Sequence, residues 1–427
     1  MSARLGFGSV AIALCWVALL AGIGLAGWVM LRPSPTFEDA AALAAAGRFD
    51  EAEERINASI KARGSDPRAH LLAAQLLLDR PVPEGKEGAE LRLDRANRAA
   101  DHLRQVQFEE PALAAIAALY RGKASYYRQR TGEAEAAWLD AIRLDPTVPE
   151  AGWSLLDLYY LQGREADGQR LALQLHEVEP DPHDRVQLLL ELVRQDVMPL
   201  APGAVVERFE PVVEQAPDDL HAVIALGLAL VRDSRAQEGL ALLRAEVQRR
   251  PEDVDAWDAL LTGLDDAGEL DLMAETIALL PSVLAESPRF ARHRGRVAQE
   301  RGDWNGAALF YRHAVEEAPE DLRLIYRLSR ALRLSGDHAE ADQLAAMLES
   351  AEQSKSEVPS LYDEANRLAN LGDPQHAELF RRIAHQRERS GRLREALAWY
   401  RLVIEARPED SESRSAAARL ASSGGVR

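Results

Sequence analysis

Gly268, Gly302 and Gly336 are spaced 34 residues apart, and this period constrains the fold more than any other feature of the sequence. Each glycine follows an apolar stretch of helical periodicity and opens a second one. A small residue stands five positions after the glycine, Ala307 after Gly302 and Ala341 after Gly336. A proline stands seventeen positions after it in the pairs Gly163 with Pro180, Gly302 with Pro319, and Gly391 with Pro408. Pro146, Pro180, Pro217, Pro251 and Pro288 follow one another at 34, 37, 34 and 37 residues. A period of this length predicts a stacked repeat of helix pairs. Glycine ends the first helix of a pair in left-handed backbone. Small residues let the two helices approach, and an aromatic fills the gap to the next pair. Proline is expected at the first turn of the following helix, where its missing N–H costs nothing. One pair cannot bury its apolar face alone, so neighbouring pairs complete the core.

The best copy runs from Arg289 to Pro319 and reads Gly295, Gly302-Asp303-Trp304, Ala307, Tyr311, Ala314, Pro319. This resembles the tetratricopeptide repeat, whose period is about 34 residues. Arg294 departs from the pattern, standing where a leucine is usual. Pro149-Glu150-Ala151 to Gly163 gives a good first helix with Leu155 and Tyr159 in place, but Gly168 and Leu175 stand where the second helix usually has alanines. Gly47-Arg48-Phe49-Asp50-Glu51-Ala52 is another joint of the same kind. The resemblance implies an all-α fold, a right-handed superhelical solenoid of antiparallel helix pairs. About nine or ten pairs fit between Phe37 and Pro408. The expected organisation is an anchor segment over 1–32, a short Pro-rich spacer over 33–36, the repeat array over 37–408, and a capping helix with a disordered tail over 409–427. Residues 80–89 read as a Pro/Gly-rich insertion and 359–371 as an irregular extra helix.

From Leu5 to Leu31 there is no charged residue. As a helix this run rises roughly 40 Å, against about 30 Å for a bilayer core. Arg4 and Arg32 bracket it, and Trp28 lies near its C-terminal edge, where an interfacial aromatic is favoured. One transmembrane helix is therefore expected ahead of the solenoid, single-pass in a bacterial inner membrane. The short N-terminal tail places the repeats on the non-cytoplasmic side. The alternative is a cleaved signal peptide with Gly24 and Ala26 at the cleavage site, which makes the protein a secreted or periplasmic module. Ala18, Gly22 and Ala26 form a small-xxx-small ridge that can pair two anchors, or are simply small residues tolerated in lipid.

A formal charge of −18 disfavours nonspecific nucleic-acid binding, which needs a basic face. The single cysteine, Cys15, lies in the apolar run, so there is no intrachain disulfide and no cysteine-based metal site. The ten histidines are scattered, and no phosphate-cradling loop or nucleophile–base pattern stands out, so neither an enzyme nor a cofactor or metal site is expected.

In the family resembled, the first helix of each pair lines a concave groove. Carried onto this sequence, the third and fourth pairs present Lys123, Tyr126, Trp153, Asp157 and Tyr160, an aromatic wall suited to an extended peptide or a helix. Inter-repeat packing is the competing use of Trp153 and Tyr160. The next distinctive stretch presents Asp255, Asp258 and Asp265, then Arg289, Arg292 and Arg296, then Arg323, Tyr326, Arg330 and Arg333. An acidic step is followed by two basic ones. Arginine suits bidentate capture of carboxylates, so an acidic peptide or the C-terminus of a protein is the expected partner. Ion pairs between neighbouring repeats, such as Asp258 with Arg292, are the competing use. The family's lysine- and asparagine-based carboxylate clamp is not matched in a sequence with four lysines.

Overall fold

A computed structural model describes residues 35–63, 66–368 and 370–422. These residues form 23 α-helices and two 3-10 turns, with no strand among them. The expected membrane span over 5–31, its Ala18/Gly22/Ala26 ridge and the tail over 423–427 lie outside the described residues. Among the described residues no helix is long and apolar enough to cross a membrane. The protein divides into two compact units, one through Ser154 and one from Leu155.

The joints follow the period. Gly268, Gly302 and Gly336 adopt φ of 74°, 73° and 97°. At the first of them Glu269 N–H reaches back to the Leu264 carbonyl at 2.9 Å, which closes the helix end. Two further joints carry no glycine. Gln129 and Ser234 take φ of 62° and 66°. They stand 34 residues before Gly163 and Gly268 and hold the same left-handed turn.

Pro288 stands in a first turn as expected, at the start of the Pro288–Phe290 3-10 turn, but Pro217, Pro251 and Pro319 do a different job. Helices begin at Leu220, Val254 and Leu322, three residues after Pro217, Pro251 and Pro319. The residue before each proline is pushed out of helical backbone: Ala216, Arg250 and Ala318 sit near φ −132°, −128° and −134°. The pyrrolidine ring clashes with a preceding helical residue, so these prolines end one helix rather than open the next. The next helix is started by an aspartate. Asp219, Asp253 and Asp321 cap it by accepting backbone N–H groups with their side chains.

In the first unit, Leu71, Ala74, Leu77 and Leu78 of the Pro67–Asp79 helix pack on Ala96, Ala99 and Leu103 of the Lys86–Leu103 helix and on Ala117 and Ala124 of the Pro111–Tyr127 helix. Trp138 is buried against Gly122, where an added Cβ would lie 2.4 Å from the indole. The insertion between Asp79 and Lys86 is a built loop. Gly85 holds φ of 89°, and a Cβ on Gly88 would fall 1.8 Å from the Pro83 carbonyl oxygen.

In the second unit, Ala307, Ala308, Tyr311 and Ala314 meet Leu324, Leu328, Ala331, Leu332 and Ala341 in one core. Gly295 leaves room for the Tyr311 ring, which a Cβ there would meet at 2.7 Å. The irregular stretch contains the Val358–Asn366 helix and a 3-10 turn at Pro374–His376. That helix packs on the distant Pro182–Val197 helix. Leu371 N–H donates to His183 Nδ1 at 3.2 Å, and Gly372 lies so close to Pro182 that a Cβ would sit 2.6 Å away. Arg387, 1% exposed, bonds Asp196 and lies 3.6 Å from the buried Glu395. Gln169 donates to both Glu320 and Glu395, at 2.8 and 2.9 Å. The C-terminal helices thus clasp helices from the start of the same unit.

Candidate functional site

The Leu322–Ser335 helix sets the geometry of the basic stretch. Its Leu324, Ile325, Leu328, Ala331 and Leu332 are buried, which turns Arg323, Tyr326, Arg330 and Arg333 outward. Before it, the Val254–Ala267 helix carries the acidic step, and the arginines of the intervening repeat face it.

Those two steps satisfy one another. Arg289 donates to Asp255 at 3.2 Å and to Asp258 at 3.3 Å, and Arg292 donates to Asp258 at 2.7 Å. Arg292 and Asp258 are 34 residues apart, one period. His293 Nε2 lies 2.9 Å from the other Asp258 oxygen. Burial alone would raise the Asp258 carboxyl, but the His293 hydrogen bond and the Arg292 and Arg289 charges hold it well below the usual carboxylate range. Burial lowers the His293 pKa, against the pull of Asp258, and Arg292 Nε lies 3.2 Å from the same Nε2. Asp265 accepts from Arg296 at 3.0 Å and from Arg327 at 2.9 Å. Arg333 pairs with Asp342 at 2.9 Å. Arg289, Arg292, Arg296 and Arg333 therefore have partners within the protein.

Two arginines stand differently. Arg323 is 86% exposed, with only the capping Asp321, at 3.9 Å, as a carboxylate neighbour among the described residues. Arg330 lies over the Trp304 ring at 6.0 Å and has no carboxylate partner among the described residues. Between them Tyr326 is 58% exposed. These three, with Arg296, Arg327 and Leu322, line one side of a cavity of about 690 Å³. Leu348, Glu349, Glu352 and Lys355 line the other side, and Lys355 pairs with Glu352 at 2.5 Å. The cavity therefore presents a surplus of positive charge beside an exposed aromatic and two leucines. It can hold an anionic group that carries an apolar body. Sequence reasoning missed Gln299, Leu322, Arg327, Leu348, Glu349, Glu352 and Lys355. The arginines at 323, 327 and 330 form an i, i+4, i+7 stripe, which was the available signal for Arg327.

The expected aromatic wall divides between the units. In the first, Lys123 bonds Asp79, which also accepts from Tyr120 at 2.6 Å. Tyr126 is half-buried with its ring 5.7 Å from Trp138, and Trp153 is half-buried. In the second, Asp157 is exposed, but Tyr160 is 7% exposed. Tyr160 is a packing residue rather than part of an open wall. Gly168, the departure from the usual alanine, makes room for its ring, and a Cβ there would lie 2.7 Å from it.

A family model described as a tetratricopeptide repeat matches residues 38–82, the stretch that contains the Gly47 joint. The protein thus carries a tetratricopeptide-type repeat within an all-helical fold. Solved structures give weak likenesses. The Cut9–Hcn1 hetero-tetramer of the APC/C is 14% identical, covering 96% of this sequence and 82% of that one, with a TM-score of 0.35. A human IFIT1 dimer with m7Gppp-AAAA is 15% identical over 85% of this sequence and 75% of that one, with a TM-score of 0.30. The P58(IPK) TPR domain is 14% identical over 90% of this sequence and 96% of that one, with a TM-score of 0.24. At these scores the likenesses carry no argument. No curated protein matches the sequence.

Proposed function

We propose that this protein is a non-enzymatic protein-interaction scaffold, tethered to a bacterial inner membrane through residues 5–31, which holds an acidic partner segment on its second unit. The observation that carries the reading is the cation surplus around an exposed Tyr326, in a protein whose net charge is −18. Arg323 and Arg330 are the capturing side chains, because the remaining arginines of the stretch already have carboxylate partners. Arg289, Arg292, Arg296 and Arg333 are engaged in ion pairs that tie neighbouring helices together. The repeats are displayed on the non-cytoplasmic side, and Ala18, Gly22 and Ala26 offer a face on which two anchors pair.

The uncharged run over 5–31 favours a retained anchor over a cleaved leader, because it continues through Trp28, Val29, Met30 and Leu31 beyond the Gly24/Ala26 site. Membrane fractionation with N-terminal sequencing tests this. An intact N-terminal segment in the pellet supports the tether; a new terminus near Gly27 on soluble protein replaces it with a released module. Crosslinking capture from native membranes, repeated with Arg323→Ala/Arg330→Ala, tests the binding face. The double variant is expected to lose an acidic partner while keeping its helix content.

A further inference from the structure

The Pro/Gly-rich insertion, which the repeat pattern does not call for, builds a second basic cavity in the first unit. Its volume is about 290 Å³. Leu77, Leu78, Pro81, Val82 and Tyr127 give it apolar walls, and Arg80, Arg92, Arg95 and Lys123 bring four cations to it against one acid, Asp79. Two of those cations are already neutralised. Arg80 grips Asp50 through both terminal nitrogens, at 2.6 and 3.1 Å, and Lys123 is bonded to Asp79. Arg92 and Arg95 remain. Neither has a carboxylate within ion-pair distance among the described residues; Arg92 lies over the Tyr127 ring at 5.4 Å.

Arg95 is the unusual member. It is 7% exposed, and its Nη1 donates to the Arg80 and Pro81 carbonyls at 3.1 and 3.2 Å. Neutral carbonyls orient the guanidinium without cancelling its charge. A buried cation left uncompensated is unfavourable, and an arriving anion relieves that cost. Burial, and then the neighbouring Arg80 charge, pull the Arg95 pKa below its ordinary value, against the weaker opposing pull of Glu53 and Asp50. The loop that supplies the two carbonyls is fixed by Pro81, Pro83, the left-handed Gly85 and the contact of Gly88 with Pro83, so the site is built before a ligand arrives.

We propose that this cavity is a binding site for a phosphate monoester group, with Arg92 and Arg95 as its charge partners and the Leu77–Val82 wall and Tyr127 holding a small apolar body. Two guanidinium groups with no carboxylate in direct contact among the described residues match the charge of a phosphate dianion, and arginine offers the paired N–H geometry that phosphate oxygens accept. The volume admits a phosphoryl group with a compact attachment. A free ester and the phosphorylated side chain of a partner peptide share that chemistry.

Calorimetric titration of the full-length protein at low salt tests the proposal with three probes: phenyl phosphate, a phosphoserine hexapeptide, and benzyl alcohol as the uncharged control. Saturable binding of a phosphorylated probe is expected, weakened about tenfold or more by Arg92→Gln and by raised salt, with none for benzyl alcohol. Arg95→Met is expected to abolish binding. Arg92 is exposed, so Arg92→Gln keeps the test valid if Arg95→Met fails to fold. Tighter binding of phenyl phosphate assigns a free ester, and tighter binding of the hexapeptide assigns a modified partner; either supports the site. Absence of saturable binding for both phosphorylated probes, or binding unchanged in Arg92→Gln, overturns it.

Discussion

Arg185 grips Glu405 with both terminal nitrogens, at 2.9 and 3.1 Å, across 220 residues of sequence. In a simple solenoid each repeat touches only its neighbours. Here the Pro182–Val197 helix meets the Val358–Asn366 and Leu393–Ala406 helices, and the second unit is closed by its own C-terminal end.

The core of that clasp is Arg387. Arg387→Met removes from Glu395, 2% exposed, the first of the two guanidinium charges that act on it, leaving Arg392 alone. Removing one partner of such a buried pair costs about 3 kcal/mol or more. Hydrogen exchange by mass spectrometry is expected to rise in the 182–197 helix as well as in 358–366. A rise confined to residues flanking 387 would show that the clasp does not hold the two ends together.

The inter-repeat ion pairs differ in worth according to burial. Asp258→Asn removes a buried anion from Arg292, Arg289 and His293, and with Arg292 partly solvated the expected loss is about 2 kcal/mol. Asp255→Asn touches only an exposed pair with Arg289 and is expected to change stability by less than about 0.5 kcal/mol. Denaturant unfolding of the two variants gives the comparison, and equal losses would refute the burial argument.

Stability is expected to fall on mild acidification. His102, His176 and His293 all sit below the ordinary histidine value, chiefly because burial disfavours their charged forms. The unfolded protein then binds more protons than the folded one below about pH 6.5. The histidine contribution is full above that pH and is lost as pH drops through each folded value. For the 3%-exposed His293 the limiting slope is about 1.4 kcal/mol per pH unit. His102 adds a second effect: its Nδ1 faces His70 Nδ1 at 3.0 Å, an approach that tolerates one proton but not two. Unfolding midpoints at pH 7.5 and 5.5 check the sign, and a midpoint that holds or rises at pH 5.5 is the contrary result.

Ser234 occupies a left-handed joint of the kind that Gly47, Gly163, Gly268, Gly302, Gly336 and Gly391 form elsewhere. Ser234→Gly removes a backbone penalty of about 1 kcal/mol and is expected to raise the unfolding midpoint. Glycine at a right-handed helical position, such as Ala225→Gly, is expected to lower it.

The repeat was legible because its joints are punctuated by residues whose backbone preferences act locally. Gly268, Gly302 and Gly336 announce their own conformation, and the buried Ala307, Tyr311 and Ala341 follow from them. Gln129 and Ser234 were hidden, since tertiary packing rather than residue type imposes their turn. The prolines are as conspicuous as the glycines, yet several differ from the expected role: in Ala318-Pro319-Glu320-Asp321 the proline stops a helix and the aspartate two positions later starts one, whereas Pro288 opens a turn as expected. At the candidate site, the pairing of Asp258 with Arg292 could be read from the 34-residue period, whereas Arg327 reaching Asp265 across 62 residues could not. The clasp carries no period at all, because it joins surfaces brought together only by the curvature of the intervening helices.

Site-specific photo-crosslinking from position 326, in native membranes, tests the central claim most directly. With a photoreactive phenylalanine in place of Tyr326, the account predicts crosslinks to an acidic segment of a partner protein, lost when Arg323 and Arg330 are both replaced by alanine. Crosslinks that persist unchanged in the double alanine variant, or that map to a segment without acidic residues, would contradict it.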